Sequence, residues 1–332
     1  MKILFAGSPA IAIPSLRVLS DMEQEGRGVF LAGLLTNPDR ARRHGHAEPT
    51  DVSAAALALD TIRKESGLAP IPQLKPEKLD VKARQEVSAL APDLLVSFAY
   101  GRIFGPRFLA LFPRAAINIH PSLLPKYRGA APIPAAILAR EKETGICIQK
   151  LSLEMDAGDI LAEERFALSG RETTASLSET ASERAALLLK KLLVDFAPAL
   201  AAARPQEGEA VYCSQIKKEE GIIDWTKSAV DIDAQIRAYT PWPLSFTALG
   251  NDTLFILEGR PLEAPGPSAP PPGTVLGTDR EKGILIQTGD GIMAVSRLQW
   301  QAKKALDWKA FYNGTKNNPQ DFIGATLGYT LA

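Results

Sequence analysis

Two cysteines in 332 residues, Cys147 and Cys213, lie far apart in different kinds of segment. That scarcity excludes a disulfide framework and a cysteine metal site, and it predicts a reducing, cytoplasmic setting. Histidine is nearly as scarce, with three in the chain. Two of the three histidines form His44-x-His46, with no carboxylate or cysteine at ligand spacing, so no metal is expected. The 38 basic and 38 acidic residues leave no net charge, which excludes a chain that binds nucleic acid by overall electrostatics and makes any basic surface local. No apolar run is long enough to span a membrane, and Met1–Pro9 reads as a first strand and turn rather than a signal peptide. Gly7 is not followed by G-x-G-x-x-G or by a phosphate-loop lysine, so a dinucleotide cofactor is not expected either.

What is present is an ordinary globular composition, 45% hydrophobic and 23% charged, in a chain long enough for two domains. The opening reads as strand (Lys2–Ala6), helix (Ile11–Leu19) and strand (Phe30–Thr36), the pattern of a parallel sheet with crossover helices. A polar loop follows, carrying Arg40, Arg42, Arg43, His44 and His46. Its guanidiniums suit either a solvated surface or an arm for phosphates. Helices are predicted over 52–66 and 76–90. Asp93–Gly101 then reads as a buried central strand that delivers Tyr100, Gly101 and Arg102 to the carboxyl edge of the sheet, where open α/β sheets bind ligands.

The stretch 116–129 carries the most chemistry. Ile117 and Ile119 alternate with Asn118 and His120, so an amide and an imidazole share one face at a strand end. Pro121 and Pro125 end the ladder and Gly129 closes the loop. A helix is expected over 130–140 and a strand over 144–152, leading into Glu154-Met-Asp-Ala-Gly-Asp159. A lone Asp-x-Gly-Asp is usually a turn. Beside His120, Asp156 becomes a partner that favours the charged imidazole and fixes its orientation, as acid–base work near neutral pH requires.

A long helical stretch, 174–203, is expected to end or kink at Pro198. Beyond a break at Arg204–Glu209 and a short helix over 228–239, short strands at 254–258, 273–276, 283–288 and 293–298 favour a small barrel, interrupted by the proline-rich 265–272. Such barrels often bind nucleic acid, on which Trp225, Trp242 and Trp300 could stack, but these indoles are expected to fill its core. Lys303, Lys304 and Lys309 form the most basic cluster in this half.

Taken together, Asn118-x-His120, Ser122-Leu-Leu-Pro125, Arg128-Gly-Ala-Ala-Pro132 and Met155-Asp-Ala-Gly-Asp159 resemble the formyltransferases that use 10-formyltetrahydrofolate. Ala6-Gly-Ser-Pro9, Thr36-Asn-Pro-Asp-Arg40, Ile223-Asp-Trp225, Arg237-Ala-Tyr-Thr-Pro-Trp-Pro243 and Thr288-Gly-Asp-Gly291 narrow the likeness to the branch that acts on methionyl initiator tRNA, over nearly the whole chain. The resemblance implies a Rossmann-like, open twisted and mostly parallel sheet over 1–206, a linker over 207–222, and an OB-like β-barrel contacting tRNA over 223–332. It implies a monomer with no membrane association. By position it makes Asn118, His120 and Asp156 catalytic, and assigns tetrahydrofolate to Ser122, Leu123, Leu124 and Pro125, with the pterin at Tyr100, Gly101, Arg102 and Ile103. tRNA falls to Arg40, Arg42, Arg43 and His44, and Lys303 and Lys304 are the basic candidates of the barrel. The chain departs from the pattern at His44, where the family has a basic residue beside a glycine, and at Pro134, where Gln is common.

The chemistry implied is attack of an amine on an N-formyl carbonyl. It needs an oxyanion donor, a proton acceptor for the amine and a proton for the departing nitrogen. No activated serine or cysteine is required, and Cys147 reads as a small core residue. Three other readings compete: the same chemistry on an amino-sugar nucleotide or purine precursor, hydrolysis of the formyl-folate by water, and a folate- or RNA-binding module without activity.

Overall fold

In a computed structural model, residues 1–41, 47–263, 270–314 and 322–328 are described. The chain divides into two units. One comprises Met1–Pro132, Glu143–Ala167 and Leu177–Ser214; the other comprises Ile133–Lys142, Leu168–Ser176 and Gln215–Ala332.

The first unit opens with β1 (Lys2–Ala6), α1 (Ile13–Gln24) and β2 (Phe30–Leu35). Helix α1 follows a single 3-10 turn at Ala10–Ala12 and takes Pro14 in its first turn, where a missing N–H costs little. The arginine loop is framed as a hairpin, with β3 (Arg40–Ala41) antiparallel to β4 (Ala47–Glu48). Helix α2 (Asp51–Glu65) starts at Thr50, whose hydroxyl caps Ser53 N. After β5 (Gln73–Leu74), helix α3 is confined to Val81–Ala89 and does not start at Pro76. Asp80 is its N-cap, accepting from Ala83 N, so the proline lies before the helix.

Strand β6 (Leu94–Phe98) is buried throughout, as expected of a central strand covered on both faces. The short α4 (Pro106–Leu109) leads to β7 (Ala115–His120). Beyond β8 (Arg128–Gly129) and α5 (Pro132–Leu138), β9 (Glu143–Lys150) and β10 (Ile160–Ala167) form an antiparallel hairpin. Strand β10 is not foreseen in the sequence, because Glu163, Glu164 and Arg165 give it the polar face of an edge strand. The long helical stretch divides into α6 (Thr174–Val194) and α7 (Phe196–Ala201). The break falls at Asp195, and Pro198 sits in the first turn of α7, where it is tolerated. Strand β11 (Tyr212–Cys213), inside the expected linker, pairs with β8.

The main sheet runs β10-β9-β7-β6-β1-β2-β5. The five strands from β7 to β5 are parallel, and β9 and β10 are antiparallel additions at one edge. Strand order reverses between β1 and β6, so the segments leaving these strands open at a topological switch point.

In the second unit, Ser228 caps α8 (Ala229–Ala238), and β12 (Ser245–Leu249), β13 (Asp252–Leu262), β14 (Val275–Asp279), β15 (Gly283–Gln287) and β16 (Ile292–Trp300) follow. They form an antiparallel sheet, β12-β13-β16-β15-β14, with β17 (Leu306–Asp307) beside β16 and α9 (Trp308–Asn313) after it. The tail closes the ring: Val275 N donates to Ala325 O on the β14 side, and Gly328 N donates to Ala248 O on β12. Trp225, Ile232, Ile256, Val295 and Phe311 are among the residues of its core. The bulk of the proline-rich segment, 264–269, lies outside the described residues. No helix among the described residues is long and apolar enough to cross a membrane.

Candidate active site

Strand β7 pairs with β9 in a register that sets Asn118 opposite Gln149 and His120 opposite Cys147. Cross-strand partners share a face, as do residues two apart, so the two amides and the imidazole project together. The β9–β10 turn folds back over that face. Its sharpness depends on Gly158, where a Cβ would lie 1.8 Å from Lys150 O.

The Asp156 carboxylate is the centre of the resulting cluster. Its Oδ1 accepts from Gln149 Nε2 at 2.9 Å and from Asn118 Nδ2 at 3.4 Å. Its Oδ2 accepts from Gly129 N at 2.9 Å and faces His120 Nδ1 at 3.6 Å. His120 Nε2 donates to Tyr127 O at 2.8 Å. With Nε2 committed as a donor to a carbonyl, the neutral ring carries its lone pair at Nδ1, the atom facing Asp156. Burial pushes the His120 pKa below its ordinary 6.5, against the opposing pull of the Asp156 charge and the Tyr127 carbonyl.

The backbone around the cluster is strained where it aims these groups. Asp156 and Tyr127 are non-glycine residues at φ +53 and +60, and Gly129 sits at φ +119. A side chain at Gly129 would also collide with Cys213 O, since β11 lies directly against it.

Sequence reasoning did not single out Gln149, Gln206 or the Gly129 N–H. Gln149 could have been found as a polar residue two positions from Cys147, directly after the apolar run Ile146–Ile148. It is 1% exposed. Gln206 comes from irregular backbone and leaves no periodic signal. Its Nε2 reaches Asp156 O, Gly158 O and Gln149 Oε1, and its Oε1 accepts from Arg128 Nε and Nη2. Arg128 also contacts Glu154 and Tyr212. Asp159 takes no part; it pairs with Lys150 across the hairpin. Cys147 is fully buried as expected, its thiol pushed up to about 12 by burial.

The expected folate segment is placed with its side chains largely inward. Ser122 Oγ donates to Lys126 O, Leu124 packs with Cys147 and Ile160, and Pro125 is buried. At the switch point Tyr100 belongs to the apolar core with Leu4, Leu95 and Phe104, and only its carbonyl reaches outward, accepting from Asn37 Nδ2. The phenol of this expected pocket residue lies in that core, and its hydroxyl is buried with no hydrogen-bond partner among the described residues. Gly101 is exposed, Arg102 donates to Pro76 O and Glu77 O, and Ile103 is 77% exposed.

Of the expected tRNA residues, Arg40, Lys303 and Lys304 are exposed, while Arg42, Arg43 and His44, with the neighbouring His46, lie outside the described residues. Trp225 and Trp300 pack into the second unit's core as expected. Trp242 does not: it is 56% exposed, in the turn beyond α8.

Comparison with known proteins agrees with this architecture. The formyl transferase family model matches residues 1–193, and the model of the formyl transferase C-terminal domain matches 215–316. A methionyl-tRNA formyltransferase of Treponema denticola is 48% identical over 95% of this chain and 97% of its own length; that of Treponema pallidum is 43% identical over 95% and 97%. Among solved structures, a methionyl-tRNA formyltransferase from Clostridium thermocellum superposes with a TM-score of 0.51 at 16% identity, covering 89% of this chain and 98% of that one. HypX from Aquifex aeolicus, solved with tetrahydrofolic acid, gives 0.60 at 17% identity, covering 95% of this chain and 47% of that one. The chain belongs to the formyltransferase family, in its methionyl-tRNA formyltransferase branch.

Proposed function

We propose that the chain carries the formyl group of 10-formyltetrahydrofolate to the α-amino group of methionyl initiator tRNA by direct attack of the amine, with Asn118, His120 and Asp156 as the catalytic residues. The observation that carries this reading is the convergence of the Asn118 amide and His120 Nδ1 on the two oxygens of one carboxylate at the carboxyl end of β7.

Each group answers one need of the reaction. Asn118 Nδ2 makes a long bond to Asp156 and retains a second N–H, which suits it to donate to the oxyanion. His120, held neutral by burial, takes the proton of the attacking amine at Nδ1. The imidazolium then faces Asp156 Oδ2, whose charge balances it, and the proton is available for the departing nitrogen. An α-amino group has a pKa of about 7.7–8, so a good part of it is already the free nucleophile near neutral pH.

The residues fit a folate. The segments leaving β6 and β7 start side by side, because Phe98 pairs with Ile119. They combine exposed backbone at Gly101 with the exposed apolar side chain of Ile103, the mixture of polar edge and flat apolar face that a pterin demands. Bound there, the folate supplies a formyl group on a nitrogen that departs as an amine. Ser122, Leu123, Leu124 and Pro125 border this position through backbone and apolar surface.

We further assign catalysis to 1–206, a linker to 207–222 and tRNA contact to 223–332, in a cytoplasmic monomer. The family matches at 1–193 and 215–316 support that division. Arg40, Lys303 and Lys304 supply local positive charge on a chain with none overall.

The test offers 10-formyltetrahydrofolate with methionyl-tRNA, unacylated tRNA or an amino-sugar nucleotide and follows which acceptor gains the formyl group. Formylation of methionyl-tRNA alone is expected. Formylation of the sugar alone overturns the acceptor, and formate release with none of them overturns the transfer.

A further inference from the structure

Asp156 does not hold its position by itself. Its backbone is in the left-handed region, which costs a non-glycine residue roughly 1–2 kcal/mol. Its turn is anchored by a side chain from irregular backbone some fifty residues later in the chain. Gln206 Nε2 lies 2.7 Å from Asp156 O and 2.9 Å from Gly158 O, and so ties both ends of the turn. The same nitrogen lies 3.2 Å from Gln149 Oε1, which orients the Gln149 amide so that its own Nε2 donates to Asp156 Oδ1. Gln206 is held in turn by Arg128, whose Nε and Nη2 donate to its Oε1 at 3.0 and 2.8 Å. Arg128 follows Tyr127, whose carbonyl fixes His120 Nε2, and precedes Gly129, whose N–H fixes Asp156 Oδ2.

We propose that Gln206 is a positioning residue for formyl transfer: its amide holds the Asp156 turn from outside and, through Gln149, sets the carboxylate so that Oδ1 faces the amides and Oδ2 faces His120. The inference rests on the reading of Asp156 as catalytic. Gln206 has no place in the chemistry itself; it acts through a buried amide and the backbone of a strained turn. Hydrogen-bonded supports of this kind matter because reacting groups must be held to within a fraction of an ångström. Gln149 and Gln206 make a relay in which each amide is oriented by the next, so a single truncation loosens the whole set.

The groups around His120 make the pH profile a usable readout. From the β9–β10 turn it faces the Asp156 carboxylate, and from the loop after β7 the neutral Tyr127 carbonyl. Opposite it on β9 is Cys147, whose thiol is pushed up to about 12. The Cys213 thiol of β11, also raised by burial, lies near enough to feel the Asp156 charge. Farther out, Arg128 and Glu154 neutralise each other as an ion pair. Displacing the Asp156 carboxylate therefore removes the main charge that favours the imidazolium.

The test compares wild type, Gln206→Leu, Gln206→Glu and Asp156→Asn in steady-state formylation of methionyl-tRNA, with thermal unfolding of each. Gln206→Leu is expected to lower kcat about a hundredfold, with both KM values within about twofold, and to move the His120 limb of the pH profile downward. Gln206→Glu keeps the size of the side chain and an acceptor for Arg128 but lacks the donor N–H, so it is expected to be equally impaired. Wild-type kcat in either Gln206 variant overturns the proposal. So does a loss confined to KM, or one that follows a lowered unfolding midpoint while the pH limb stays in place. Full activity in Asp156→Asn instead sinks the reading beneath it, whereas an inactive Asp156→Asn beside an intact Gln206→Leu sinks this inference alone.

Discussion

The two units place the polar groups proposed for function in opposite ways. In the first, the side chains assigned to chemistry are drawn into the sheet and bonded on several sides: Asp156 accepts from two side-chain amides and one backbone N–H, and His120 is 4% exposed. In the second, the buried polar side chains, such as Gln235, Thr247 and Gln287, bond within the fold beside a core built on Trp225, Ile256, Val295 and Phe311, and the basic candidates Lys303 and Lys304 stand at the surface. The difference follows from the tasks proposed for them. Proton transfer needs a fixed geometry and a low dielectric, for which burying polar groups is worth its desolvation cost. Phosphate contact needs only cations within reach of a charged strand, where exposure costs nothing.

The sharpest way to separate the units is to damage each where it is most densely built. Trp225→Ala removes a core indole and leaves the buried Thr247 hydroxyl without the Nε1–H that it accepts. It is expected to cost about 3–5 kcal/mol of stability in the second unit, as large core truncations do. Chemical denaturation followed by far-UV circular dichroism should show a separate early transition. A single transition for the whole chain would mean that the two units do not unfold independently.

Next in size is the effect of Asn118→Ala. Losing one oxyanion donor lowers kcat by about 10²–10³, and the variant should unfold near the wild-type midpoint because Asp156 keeps Gln149 and Gly129 as donors. Unimpaired single-turnover formylation would remove Asn118 from the mechanism.

A smaller effect is expected at the surface. Replacing Lys303 and Lys304 together by Ala should raise KM for tRNA several-fold without changing kcat. Each phosphate that is no longer neutralised should flatten the dependence of log affinity on log salt by roughly 0.7–0.9. An unchanged salt slope would show that these lysines touch no phosphate.

The same contrast explains what could be read in advance. The strands of the first unit announce themselves because burial on both faces writes a continuous apolar run, as in Leu94–Phe98. The pair Asn118 and His120 stands out because two polar residues interrupt such a run at period two. Strand β10 escapes such a reading because its glutamates and arginine carry the polarity of an edge, and β12 because a five-residue strand just after two prolines has little pattern to show. The break of the long helix falls at Asp195 rather than Pro198, since proline is tolerated in a first turn and nothing local says that a new helix begins. Gln206 is illegible for a different reason: its importance lies in three contacts made across the fold, and irregular backbone carries no periodicity from which to infer them. Tyr100 is legible as a residue beyond the end of the central strand, but the apolar run does not say that its side chain packs in the core.

The smallest effect is the most diagnostic of burial itself. His120 has its pKa depressed in the folded protein, chiefly by desolvation, relative to an ordinary value of 6.5. Folding therefore favours the neutral ring, so this contribution to stability is fully present above about pH 6.5 and is lost as pH falls through the depressed folded value. His120→Gln, which keeps a donor for Tyr127 O and cannot titrate, should lose less stability than wild type on going from pH 7.5 to pH 5. Urea unfolding at the two pH values measures it. Parallel losses would mean that folding leaves the His120 pKa unchanged, whereas a smaller loss in wild type than in His120→Gln would mean that the Asp156 charge outweighs burial and the folded ring holds its proton, and Nδ1 would then have to be read as the acid of the reaction rather than its base.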